Sequence, residues 1–154
     1  MRERGAGRTL TITSVGGVVG QPFNDAYCAA TFAAQGLLES LAPVAAGFGV
    51  HVAVVEPGAV ASSFVDNAVD SLATLGGAGV PYAGAFAAYR VRTAGAFDAA
   101  QDPRDVAAVI VRAATEDRPR FRYLTSEAAV AFTALKLSDP DGSRVIGATT
   151  GWLR

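Results

Sequence analysis

The chain has 154 residues, enough for one domain that buries about 70% of its unfolded surface. Hydrophobic residues make up 51% and charged residues 18%, a composition that excludes an intrinsically disordered chain. The formal net charge of −1 gives no electrostatic reason to expect nucleic acid or an anionic membrane as a partner.

Cysteine content fits a reducing compartment, and hydropathy gives no sign of a membrane span. The one cysteine, Cys28, excludes a disulfide within this chain. No stretch approaches about 18 uninterrupted apolar residues, and the charged start MRERGAGR has no apolar segment behind it. We therefore expect a cytoplasmic protein with no membrane span, and we predict no metal site.

The first third of the chain predicts a strand, a loop and a helix. Residues 9–13 are a β-branched run that ends at a serine and predicts a strand. Residues 15–24 carry three glycines and a proline and predict a loop. A helix is predicted from Asp25, with a kink or an early end near Ala42. The reason is Pro43, which removes a backbone hydrogen bond and costs about 3 kcal/mol inside a helix.

The middle of the chain predicts one buried strand and a weakly patterned segment. Residues 50–55 are apolar on both faces except for one histidine, which is typical of a strand inside a parallel sheet. Residues 64–100 predict a glycine-rich bend at 76–79 and an alanine-rich helix from about Tyr82.

The last third predicts two helices and a strand. Asp102 followed by Pro103 is a strong helix start, and this helix is predicted to run to about Thr115. The remaining predicted elements are a strand at 120–124, a helix at 126–137 and an irregular tail at 139–154. Strands and helices in this order predict a single α/β domain of about three parallel strands with right-handed crossovers.

Three arginines alternate along the predicted last strand, at Arg118, Arg120 and Arg122. Nucleic-acid surfaces combine more positive charge with interleaved aromatic side chains. We therefore interpret the three arginines as a solvated strand face.

The segment TLTITSVGGVVGQPFNDAYCAATF, residues 9–32, resembles the active-site segment of the short-chain dehydrogenase/reductase family. That family pairs a strand-end serine with Tyr-x-x-x-Lys on the next helix. Here Ser14 and Tyr27 match the serine and the tyrosine, and Thr31 stands at the lysine position. The later stretch VVEPGAV is similar to the family's Pro-Gly turn beside the nicotinamide.

The resemblance implies an oxidoreductase that uses NAD or NADP on an alcohol or ketone, with Ser14 and Tyr27 as catalytic residues. It places five residues at the nicotinamide and its ribose: Thr31, Pro57, Gly58, Val60 and Ser62. Residues 64–100 are then the loop and helix that cover the substrate. Their aromatic residues predict a mainly apolar substrate: Phe64, Tyr82, Phe86 and Tyr89.

The missing lysine bears directly on activity. A tyrosine, with a pKa of about 10, becomes a useful base near pH 7 only if about 4 kcal/mol favours its ionised form. A lysine one helical turn away supplies energy of that order, and Thr31 carries no charge. We therefore expect this chain alone to be inactive. The alternative hypothesis is a catalytically inactive remnant that serves as a packing or interaction domain.

The resemblance covers about residues 5–137 and implies a partial Rossmann-like fold that lacks the N-terminal dinucleotide-binding half. Residues 1–8 resemble the end of the helix before the serine strand, and the family's Gly-x-x-x-Gly-x-Gly loop has no counterpart in the sequence. Whether the start is a true N-terminus or a misplaced gene start stays open. Without that half, residues 9–13 form an open strand edge, so we expect self-association or a partner that covers this edge.

Two other interpretations fit less well. GGVVG after a strand resembles a phosphate loop with Glu56 at a ribose, but Pro22 intervenes. Glu56 also lies 36 residues beyond Gly20, whereas such motifs place the acid about 20 residues on. A serine hydrolase would need a Gly-x-Ser-x-Gly elbow, which is absent, and the one histidine, His51, lies inside a predicted strand.

Overall fold

Three parallel strands form the centre of the computed structural model, which describes residues 1–64 and 81–154. The strands are β1 (Gly7–Ile12), β2 (Val50–Glu56) and β3 (Arg122–Leu124), and they lie side by side in that order. β2 pairs in parallel with both of its neighbours. The predicted α/β fold with about three parallel strands is therefore confirmed.

The helices of the described part of the chain are α1 (Asp25–Ala46), α2 (Ala83–Asp98), α3 (Pro103–Thr115), α4 (Glu127–Leu137) and α5 (Ser143–Thr150). Single 3-10 turns occur at Arg2–Arg4, Val15–Gly17 and Gly151–Leu153. No helix in residues 1–64 and 81–154 is long and apolar enough to cross a membrane.

The sheet has a helix on each face. On one face, Leu38 of α1 packs against Val52 and Val54 of β2. On the other face, Ala113 of α3 packs against Val55 and the strand residues around it. Because β2 is covered on both faces and on both edges, its residues are buried except His51, which is exposed. The prediction of a buried central strand is confirmed.

The predicted end of α1 near Ala42 is wrong. The helix continues through Pro43 to Ala46. Pro43 is exposed, whereas Ala42 and Ala45 pack against the cluster of Leu38 and β2. Burial of these alanines against the sheet offsets the one hydrogen bond that the proline removes.

The tail predicted to be irregular at 139–154 is also helical. The Asp139 carboxylate accepts a hydrogen bond from Val145 N at 2.9 Å, and Val145 is buried against Val18 and Val19. This long-range contact holds α5 against the loop that follows β1. The local signals that the sequence offered were this Asp139 and Asp141, whose carboxylate accepts from Ser143 N at 3.0 Å.

The remaining predictions differ from the structure by small shifts. Residues 15–24 contain a 3-10 turn, and the last strand begins at Arg122 rather than at 120. The helix start at Asp102 is confirmed, because its carboxylate accepts a hydrogen bond from Arg104 N at 2.8 Å. The predicted bend at 76–79 lies outside the described residues.

Candidate active site

Ser14 lies at the carboxyl end of β1 and begins the 3-10 turn that follows. Its hydroxyl oxygen accepts a hydrogen bond from Gly16 N at 3.0 Å. Among the residues that the structure describes, none accepts the hydroxyl proton of Ser14. The side chain is therefore held through its oxygen, and its proton remains available to a ligand.

The backbone on either side of Ser14 is fixed by the end of β2. Thr13 N donates to Val55 O at 2.8 Å, and Val15 N donates to Pro57 O at 3.0 Å. The predicted Pro-Gly turn thus lies directly beside Ser14. Ser14 and the Pro-Gly turn both lie at the carboxyl ends of the parallel strands, which is where open α/β sheets bind their ligands.

Tyr27 lies in the first turn of α1, half-buried, and meets Ser14 at Gly16. A Cβ added to Gly16 would lie 3.1 Å from Tyr27 Cε1 and 3.4 Å from Ser14 Oγ. The absence of a side chain at Gly16 therefore allows the tyrosine ring and the serine hydroxyl to approach the same point. The ring centroid of Phe64 lies 5.8 Å from that of Tyr27.

Thr31 does not replace the charge of a lysine. Its hydroxyl donates to the backbone carbonyls of Tyr27 at 2.9 Å and Cys28 at 3.1 Å. The single lysine of the chain, Lys136, places Nζ 5.0 Å from the ring centroid of Phe32. Successive helical residues point about 100° apart, so Phe32 and Lys136 lie to one side of the Tyr27–Thr31 row.

The segment after β2 is hydrogen-bonded to Gln101, two residues before α3. Val60 forms an isolated parallel bridge with Gln101, Ala61 N donates to Gln101 O at 3.1 Å, and Gln101 N donates to Ala59 O. Of the predicted nicotinamide residues in this segment, Pro57 is buried, Gly58 and Val60 are half-buried and Ser62 is exposed.

The chemistry of these residues fits the nicotinamide and its ribose and does not fit the pyrophosphate of the nucleotide. Thr31 and Ser62 supply hydroxyls suited to a sugar or an amide. The pyrophosphate would need a cation or free backbone N–H groups. In the GGVVG loop, the N–H groups of Gly16, Gly17, Val18 and Val19 all donate to groups inside the loop. The phosphate-loop interpretation of GGVVG is therefore wrong.

Of the predicted substrate-covering aromatic residues, Phe64 is the one that the structure brings to Tyr27, and it is 56% exposed. Phe86 and Tyr89 of α2 are buried against Phe23, with ring centroids 5.2 and 5.5 Å away. Tyr82 is exposed. The rest of the covering loop, residues 65–80, lies outside the described part of the chain.

A buried polar network behind Ser14 escaped the sequence analysis. Gln35 of α1 donates through Nε2 to Ser14 O at 3.1 Å, and its Oε1 accepts from Arg122 Nη1 at 3.2 Å. The guanidinium of Arg122 forms an ion pair with the fully buried carboxylate of Glu56. The described residues leave Glu56 Oε2 without a hydrogen-bond partner.

The interpretation of Arg122 as part of a solvated strand face is wrong. Arg122 pairs with Val54 in the sheet, and Glu56 projects from the same face of β2 two residues on. The signal that the sequence offered was Glu56 itself, an acid at the end of a buried strand. Such a group requires a partner.

The pKa of the Glu56 carboxyl is raised from 4.5 to about 7. Burial is the largest cause and raises the pKa, because it disfavours the charged form. Arg122 and Gln35 lower the pKa, and the nearby Glu39 carboxylate raises it. Burial therefore raises the pKa of the Glu56 carboxyl by more than the ion pair with Arg122 lowers it.

The sequence of this chain is similar to sequences of known dehydrogenases. A family model described as short chain dehydrogenase matches residues 1–73. The human 17-beta-hydroxysteroid dehydrogenase type 1 is 39% identical over 96% of this chain and 46% of its own length. Retinol dehydrogenase 8 from Bos taurus is 33% identical over 93% of this chain and 47% of its own length. The chain spans about half the length of the curated relatives it matches.

Solved structures give the same result. A short-chain dehydrogenase from Streptomyces avermitilis superposes with a TM-score of 0.68 and 30% identity, covering 99% of this chain and 52% of its own. A short chain dehydrogenase/reductase from Burkholderia phymatum in complex with NAD has a TM-score of 0.68 and 25% identity. It covers 90% of this chain and 50% of its own.

Proposed function

We propose that the site of this chain is one built to interconvert an alcohol and a ketone, because the chain belongs to the short-chain dehydrogenase/reductase family and spans about half the length of the relatives it matches. In this proposal the Ser14 hydroxyl holds the substrate oxygen, and Tyr27 exchanges a proton with it. The observation that carries the proposal is the meeting of Ser14 and Tyr27 at Gly16, with the Ser14 proton available to a ligand.

We propose NAD or NADP as the cofactor, supported by solved relatives that hold NAD or NADP. The nicotinamide supplies hydride transfer when it is bound. The residues proposed to contact it and its ribose are Thr31, Pro57, Gly58, Val60 and Ser62. We also propose a cytoplasmic location.

For the substrate we propose an apolar alcohol or ketone of the hydroxysteroid or retinol class. The names of two groups of relatives, 17-beta-hydroxysteroid dehydrogenase and retinol dehydrogenase, support this class. Within the site, the exposed ring of Phe64 beside Tyr27 offers an apolar surface next to the reacting oxygen.

The proposal is tested by titrating the purified chain with estradiol and with retinol while recording amide NMR spectra. We expect shifts at Ser14, Gly16 and Tyr27, and Tyr27→Phe should weaken binding about tenfold, because one hydrogen bond is lost. Tyr82→Phe serves as the control, because Tyr82 is exposed. The unmodified chain should show no turnover with NAD or NADP, because Thr31 places no positive charge beside Tyr27. Ligand shifts confined to other regions would contradict the proposed site, and turnover by the unmodified chain would contradict the expectation that a charge at position 31 is required.

A second candidate function is that of a catalytically inactive packing or interaction domain. It is favoured by the Thr31 hydroxyl, which donates to its own helix, and by four exposed apolar residues along and just beyond α1. These residues are Leu37, Leu41, Val44 and Phe48. In the described sheet, β1 is also an edge strand.

From these surfaces we expect the isolated chain to self-associate or to bind a partner that covers residues 9–13. Light scattering at micromolar concentrations should therefore give a mass above that of the monomer. Replacing Leu37 and Val44 by glutamine should lower that mass. A folded, strictly monomeric chain at all concentrations would rule out self-association.

A further inference from the structure

We propose that Gln35 is a positioning residue for Ser14, fixing the serine from inside the protein through the ion pair of Arg122 and Glu56. This inference rests on the proposed catalytic role of Ser14. It concerns a residue that touches neither substrate nor cofactor. Its evidence is the set of hydrogen bonds that converge on Gln35.

Every hydrogen-bonding group of the Gln35 side chain is used. The side chain is buried, and its two N–H groups have two acceptors, Thr13 Oγ1 and Ser14 O, each at 3.1 Å. Its carbonyl oxygen accepts from Arg122 Nη1. Because a guanidinium only donates, Arg122 determines which end of the amide faces Ser14.

The amide of Gln35 is in turn anchored at the end of β2. Arg122 lies between Gln35 and the buried Glu56 carboxylate, and Glu56 is followed by Pro57, whose carbonyl accepts from Val15 N. The network therefore starts at the Ser14 carbonyl and returns, through Pro57, to the backbone of Val15, the residue after Ser14. Helix α1, strand β2 and strand β3 each contribute a member.

The position of Gln35 on α1 relates it to the proposed catalytic residue. Tyr27, Thr31 and Gln35 are spaced by four residues, so they lie on one row of the helix. The same helical row thus presents Tyr27 near the Ser14 hydroxyl and Gln35 at the Ser14 carbonyl. Helix α1 alone therefore sets the position of Gln35 relative to Tyr27.

Gly17 leaves the space that this arrangement needs. A Cβ added to Gly17 would overlap the amide nitrogen of Gln35 and would lie 3.1 Å from the Thr31 carbonyl oxygen. Gly17 N also donates to Ser14 O at 2.9 Å, so the Ser14 carbonyl accepts from Gly17 and from Gln35 together. The backbone of Ser14 is held in its extended conformation by both donors.

The test compares Gln35→Glu, Gln35→Met and the unmodified chain by amide NMR and hydrogen exchange. Gln35→Glu keeps the length and the acceptor for Arg122 but removes both donors. We expect the Gly16 and Gly17 amides, which report on Ser14 Oγ and Ser14 O, to shift and to exchange at least tenfold faster. Leu38→Ala, a buried residue on the same helix that contacts Val52 and Val54, should destabilise the chain without moving these two amides.

A pH series separates positioning from simple packing. On acidification the carboxyl introduced by Gln35→Glu becomes protonated and regains one donor, so the two amides should return part of the way to their original positions. Gln35→Met has no such group and should show no return. The same pH series on the unmodified chain gives the amide shifts that the titration of Glu56 causes by itself. Glu56 is faced by Arg122 of β3 and by Gln35 and Glu39 of α1.

Two outcomes would overturn the inference: unchanged Gly16 and Gly17 amides in Gln35→Glu, or identical behaviour of the two Gln35 variants at every pH. Neither measurement needs substrate or cofactor. Failure of the proposed function would instead be seen in the unmodified chain, as the absence of ligand-induced shifts at Ser14 and Tyr27.

Discussion

Thr31→Lys is expected to raise alcohol–ketone turnover by about 10²- to 10³-fold when this chain replaces the aligned segment of the human 17-beta-hydroxysteroid dehydrogenase type 1. An unperturbed tyrosine is ionised about one time in a thousand at pH 7. A cation about 4 Å away contributes on the order of 4 kcal/mol at an effective dielectric of about 20, which offsets most of that deficit. Thr31 lies one turn beyond Tyr27, with its hydroxyl 2.9 Å from the Tyr27 carbonyl oxygen.

Three controls test the origin of this gain. Thr31→Met has the length of the lysine stem without its charge and should give no increase. Ser14→Ala and Tyr27→Phe, each combined with Thr31→Lys, should return the chimaera to its starting rate. In the unmodified 154-residue chain, Thr31→Lys should leave turnover undetectable, because the N–H groups of Gly16, Gly17, Val18 and Val19 in the GGVVG loop already donate within the turn and are not free for a pyrophosphate. If the chimaera with Thr31 already matches the lysine variant, the charge at this position is unnecessary.

Arg122→Met is expected to lower the free energy of unfolding by about 1–2 kcal/mol more at pH 8 than at pH 6, because the Glu56 carboxyl, without its partner, has to take up a proton in the folded chain. Urea denaturation followed by circular dichroism measures the change. Arg118→Met, a substitution at an exposed arginine before the same strand, should change stability by less than about 0.5 kcal/mol. Combining Arg122→Met with Glu56→Gln should recover most of the loss, since no buried charge then remains.

The sign of the pH dependence follows from the raised pKa of Glu56. Between pH 4.5 and about 7 the folded chain holds a proton on Glu56 that the unfolded chain has released. The contribution of Glu56 to stability therefore falls as pH rises through this window, by about 3 kcal/mol in all. Glu56→Gln should flatten this slope. The loss caused by Arg122→Met should be largest at pH 8 and shrink below about pH 6, and an equal loss at both pH values would contradict the ion-pair explanation.

The sequence by itself determined the elements whose signals are local. The apolar run of β2 has to be buried on both faces, and Asp102 with Pro103 satisfies the first turn of α3 without help from the rest of the chain. The segment around Ser14 and Tyr27 likewise resembled one in which a serine and a tyrosine form a single site, and the structure places both residues against Gly16. Each of these features depends on residues close to one another in the chain.

Only the tertiary structure decided which distant residues act on those elements. The sheet register places Arg122 on the same face as Glu56, so an arginine expected in solvent became part of the buried network with Gln35. Contacts with the sheet carry α1 past Pro43, and burial of Val145 against Val18 and Val19 holds α5 in place. These outcomes depend on burial and on pairings across the chain. The free energy of a charge or of a missing hydrogen bond depends on what surrounds it after folding, which a linear pattern does not contain.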